Sequence, residues 1–107
     1  MVECISFKGK SLRVGYNMAV AIGYEKETGE VFDMLTSFQS ATNITTLFWV
    51  VLKKYNPDFK LSKDEFAEES SGAEYHALDL AMAELLKEFY WVPANEGSGN
   101  GQEEKNA

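Results

Sequence analysis

The stretch from Asn43 to Tyr55 constrains this chain most. Ile44, Leu47, Phe48, Val51, Leu52 and Tyr55 recur at three- and four-residue steps, the spacing that aligns side chains on one face of an α-helix. Trp49 and Val50 fill further positions, so few polar side chains remain for a solvent face. A helix that is apolar on nearly every side has to be covered on more than one, and other elements must wrap around it. Lys53 and Lys54 suit the negative pole of the helix dipole at its end, and Asn56-Pro57 stops it.

A second stripe, Tyr75, Leu78, Met82, Leu85, Leu86 and Phe89, predicts another core helix after Gly72. Between the two, Ser62-Lys63-Asp64-Glu65 matches a capping box, so a short acidic helix should run from Lys63 to about Glu69. Toward the N-terminus, Glu3 to Phe7 and Ser11 to Tyr16 flank Lys8-Gly9-Lys10 and read as a β-hairpin. Its alternating Ile5/Phe7 and Leu12/Val14/Tyr16 face must pack on helices, because an isolated hairpin is marginal. Asn17 caps a helix from Met18 to Lys26 with Met18, Ala21, Ile22 and Glu25 on one side, and Thr28-Gly29 ends it. A further short helix is expected to carry Val31, Phe32, Leu35 and Phe38, followed by a loop at Gln39-Ser40-Ala41-Thr42.

Beyond Pro93 the only apolar residues are Ala94 and Ala107, too few to offset the entropy of ordering that segment. The expected fold class is therefore mainly α: a small helical domain of about five helices with an N-terminal β-hairpin over residues 1–93, and a disordered polar tail over 94–107.

Charge narrows the partners. Seventeen acidic residues against ten basic ones give a formal net charge of −7, the wrong sign for tracking nucleic-acid phosphates or an anionic membrane surface. No window approaches the roughly 18 consecutive apolar residues of a spanning helix. Met1-Val2-Glu3-Cys4 lacks a basic region followed by an apolar run, so a cytoplasmic location is expected. Cys4 is the only cysteine; with Ile5 and Phe7 beside it, it is expected to be buried as a small hydrophobe.

Few residues carry chemistry. Gly9-Lys10-Ser11 resembles the end of a phosphate-binding loop, but that motif needs glycine where Cys4 stands. His76, the only histidine, has no second histidine or cysteine at metal-ligand spacing, and its neighbour Asp79 lies on the same helix rather than across a cleft. Asp64, Glu65, Glu68 and Glu69 lack the glycine and alternating oxygens of a calcium loop and read as a solvated face. Asn43-Ile44-Thr45 is formally a glycosylation acceptor, yet it opens a helix. The expectation is no catalytic residue, no metal and no cofactor.

What remains is an aromatic surplus: Trp49 on the central helix and Phe89-Tyr90-Trp91-Val92 at the end of the last one. Either these residues are core, or they form an apolar patch for a protein partner. Trp49, Tyr90 and Trp91 are the candidate protein-binding residues. Trp91 is expected to be the most exposed because it ends the helix before Pro93.

Tyr16-Asn17-Met18-Ala19, Glu25-Lys26-Glu27-Thr28-Gly29, a short helix, the helix Leu47 to Tyr55 with Asn56-Pro57-Asp58, and Leu61-Ser62-Lys63-Asp64-Glu65 follow one another. This order resembles the tail assembly chaperones of long-tailed bacteriophages and prophages over residues 3–90. The resemblance implies a small acidic helical protein that binds the hydrophobic tape-measure protein, or other phage tail proteins, in the host cytoplasm while the tail assembles; the apolar surplus itself offers self-association into a homo-oligomer or client binding as its use. It transfers no residue-level motif. It also implies a longer form made by a ribosomal slip, for which Glu104-Lys105-Asn106 offers codons. The alternative is a small structural or adaptor subunit of the virion.

Overall fold

A computed structural model describes residues 2–33 and 37–90. Two strands, β1 (Val2–Phe7) and β2 (Lys10–Gly15), precede α1 (Met18–Thr28), a 3-10 turn (Ser37–Gln39), α2 (Ala41–Tyr55), α3 (Lys63–Glu69) and α4 (Gly72–Tyr90). The structure is mainly helical with an N-terminal antiparallel hairpin, but the described residues hold four α-helices rather than about five. The tail from residue 94 onward lies outside the described residues, as does Leu35.

The hairpin closes through Lys8 and Gly9, at φ 52° and 80°. Positive φ at both central residues is what a two-residue turn needs to match the twist of its strands. The register sets Ile5 opposite Leu12 and Glu3 opposite Val14, which brings Ile5, Phe7 and Val14 into the core. Cys4 is exposed, contrary to expectation. Strand alternation decides this: with Ile5 and Phe7 inward, Cys4 alone could not share their face.

α2 is the hub. It packs against α1, α3, β2 and the 3-10 turn, and Leu47, Phe48, Val50, Val51 and Leu52 are all buried. Its apolar excess is largely consumed by this many-sided cover. It begins two residues earlier than expected, at Ala41, because the Ser40 hydroxyl caps it by accepting from the Asn43 N–H. α4 lies across the hairpin, mainly against β1, and buries Leu78, Met82, Leu85 and Leu86. The capping box of α3 forms as expected, and Phe66 beyond it enters an aromatic group with Phe7, Phe59 and Tyr75.

Of the expected helix over Val31, Phe32, Leu35 and Phe38, Leu35 lies outside the described residues; among those described, Val31–Asp33 is not helical and Ser37–Gln39 makes a single 3-10 turn. A buried polar pair organises this segment instead. The Tyr24 hydroxyl donates to Ser37 Oγ at 3.0 Å, and the Asp33 N–H donates to the same oxygen at 3.0 Å. Phe32 turns inward against Tyr16 and Tyr24. A burial requirement on Tyr24 has outweighed a weak local helix pattern.

The face of α1 also differs from expectation. Val20, Ala21 and Tyr24 point inward, whereas Met18 and Ile22 are 50% and 49% exposed. Gly23 explains the rotation, since an added Cβ there would stand 3.0 Å from Val50. The glycine lets α1 approach α2 on that side.

Candidate functional site

The C-terminal end of α4 meets the end of the hairpin at Tyr16. Tyr16 is buried and packs edge-on against Phe89 at 5.1 Å, with Tyr90 at 5.5 Å and Phe32 at 6.0 Å on its other sides. The Tyr16 and Tyr90 hydroxyls share a hydrogen bond. Burial, and then that bond, push the Tyr16 phenol well above the usual tyrosine range, so it stays protonated. Phe89 was expected in the core stripe of its helix; it is 43% exposed, and Tyr90 is 42% exposed.

Trp49 sits elsewhere, half-buried on α2. Its Nε1–H donates to the Leu61 carbonyl at 3.0 Å, and the Lys53 ammonium lies 4.6 Å above its ring. The indole is pinned between the helix and the α2–α3 connection. It lines a concavity of about 310 Å³ between α1 and α2. Trp49 and Tyr90 therefore belong to separate surfaces, and Trp91 lies outside the described residues.

Sequence reasoning missed Tyr16 as the pivot of the aromatic group. Its place at the end of an alternating strand marked it only as core. It also missed the exposure of Met18 and Ile22, which depends on Gly23 allowing close approach, a feature that hydrophobic periodicity does not register.

The polar chemistry is structural. Ser71 opens α4 with a second capping box: its hydroxyl accepts from the Glu74 N–H, while Glu74 Oε1 accepts from the Ser71 N–H. Glu74 Oε2 also accepts from the Lys8 N–H at 2.8 Å. These bonds, that from Ser71 first, hold the Glu74 carboxyl below its ordinary range. Tyr75 is raised by burial and shares a hydrogen bond with Thr45. His76 is exposed. Among the described residues no three His, Cys, Asp or Glu side chains gather as metal ligands, and no helix is long and apolar enough to cross a membrane. Comparison with known proteins returns no match to a family model, to a curated protein or to a solved structure.

Proposed function

We propose that this chain is a non-enzymatic tail assembly chaperone of a long-tailed bacteriophage or prophage, holding apolar segments of the tape-measure protein in the host cytoplasm. The observation that carries the reading is the open aromatic end of α4. Phe89 and Tyr90 remain more than two-fifths exposed although they pack round a buried tyrosine. Fully burying a large apolar side chain contributes ~1.5–3 kcal/mol, and because these two are already more than half covered a partner gains roughly half of that from each, to which neighbouring contacts add. The order of sequence elements from Tyr16 to Glu65 supplies the client class.

The test is co-expression with the product of an adjoining long tape-measure gene. Phe89→Ser with Tyr90→Ser should reduce capture of that protein at least tenfold per folded chain, the folded fraction being read from the thermal melt because both rings also pack on the buried Tyr16. Capture that survives the double change, or the absence of any capture by the parent chain, overturns the reading. Recovery of the chain from purified virions points instead to the structural or adaptor subunit.

A further inference from the structure

The aromatic end of α4 leaves a second surface unexplained. Six of the chain's ten basic residues line two neighbouring concavities, although the chain as a whole is acidic. The first, between α1 and α2, is walled by Trp49 and Val50 and rimmed by Lys26, Lys53 and Lys54. The second, about 400 Å³ between the hairpin and the α2–α3 connection, has Phe7, Leu12, Phe59 and Leu61 as its floor and Lys8, Lys10 and Lys60 at its rim. They meet where Trp49 donates to the carbonyl of Leu61.

Three carboxylates share these linings, Glu27, Asp58 and Glu69, so basic groups outnumber acidic ones there by two to one. Glu27 is already 3.9 Å from Lys63. Among the described residues none of the six lysines holds a carboxylate at ion-pair distance. Helix dipoles account for Lys26, Lys53 and Lys54, which stand in the last turns of α1 and α2. They do not account for Lys10 at the hairpin turn or Lys60 in a connection, while the charge of Lys8 already favours the ionised Glu74 carboxyl that accepts from the Lys8 N–H.

We infer that this track binds an acidic peptide segment of a partner protein, one whose carboxylates alternate with apolar side chains. The apolar residues enter the two concavities and the carboxylates meet the lysine rims. Trp49 is suited to be the wall between them: its only polar atom is already bonded, so the ring offers apolar surface, and Lys53 above it offers charge. A small anion does not fit, because the lysines are spread along two concavities instead of converging. The inference stands apart from the α4 surface and does not rest on the identity of its client.

The experiment uses the full chain carrying Trp91→Phe, which leaves Trp49 as the one indole. The probes are an alternating leucine–glutamate peptide, its leucine–lysine counterpart and a serine–glutamate peptide of equal charge. The leucine–glutamate peptide should shift the Trp49 emission, and its affinity should fall about tenfold or more as salt is raised, as screening of exposed charges requires. Lys10→Glu with Lys60→Glu, neither of which serves a helix dipole, should weaken it at least tenfold with little change in melting temperature, and the corresponding double Gln change should weaken it less. Equal binding of the lysine or serine peptide, undiminished binding by the charge-reversed chain, or no binding at all overturns the inference. So does a charge reversal that turns an oligomer into a monomer without any peptide being bound, which would assign the track to a second copy of the chain. Phe89→Ser with Tyr90→Ser should leave peptide binding unchanged, which separates failure here from failure of the chaperone reading.

Discussion

Gly15 stands where an added Cβ would lie 2.5 Å from a ring carbon of Tyr55, with the next at 2.6 Å. The hairpin can cross the end of α2 at this distance only because the position has no side chain. Gly15→Ala forces the Tyr55 ring aside, at a cost of ~1–3 kcal/mol typical of overpacking. Urea unfolding should record that loss in the parent background and lose most of it in a Tyr55→Ala background, where the clash is absent. An equal loss in both would place the strain elsewhere. Tyr24 shows the same dependence on a neighbour, since its buried hydroxyl is satisfied by Ser37, thirteen residues away. Nothing in the local sequence of either residue announces its partner.

At the scale of elements, the joint between α2 and the hairpin is made by Asn56. Its side chain accepts from the Arg13 N–H and donates to the Arg13 carbonyl, both at 2.8 Å, while also donating to the Leu52 carbonyl that ends the helix. One amide thereby caps α2 and pairs with the free edge of β2 as a third strand would. Because Arg13 is exposed, water can replace part of what is lost, and Asn56→Ala should cost ~1–2 kcal/mol. Asn56→Asp should be no better, since a carboxylate accepts from the Arg13 N–H but faces two carbonyl oxygens that it cannot satisfy. Faster exchange of the Arg13 amide is the diagnostic measurement, and unchanged exchange in Asn56→Ala contradicts this account. The element boundary at Asn56-Pro57 was legible from composition, whereas the strand-like role of the same asparagine was not.

At the scale of the whole molecule, Glu74 ties the hairpin turn to the start of α4 across 66 residues of chain. Its carboxyl is held below the ordinary 4.5 by the Ser71 and Lys8 N–H groups. A carboxyl lowered in the folded state contributes stability that is fully present above its unfolded pKa and is lost as pH falls through the folded value. Glu74→Gln keeps one acceptor oxygen for two N–H donors and loses the charge, so it should lower stability near pH 7 by no more than ~1 kcal/mol, and the difference from the parent should shrink below about pH 4. Thermal melts of both chains from pH 7 to 3 measure this; a difference that stays constant with pH would assign the effect to shape instead of charge.

The sequence by itself determined the elements whose causes are local. The hairpin follows from alternation around a glycine turn, α1 from Asn17 and Gly29, α3 from its capping box, and the inward stripes of α2 and α4 from three- and four-residue spacing. Tertiary structure alone decided what depends on residues distant in sequence. It set the face of α1 through Gly23 against Val50 and left Val31–Asp33 non-helical around the Tyr24–Ser37 pair. It sent Trp49 and Tyr90 to different surfaces and gathered lysines from three regions of the chain around two concavities. The physical reason is the range of the forces involved. Caps, turns and periodicity act over one or two helical turns and are written in neighbouring letters. Close packing and buried hydrogen bonds depend on which distant groups arrive at the same place.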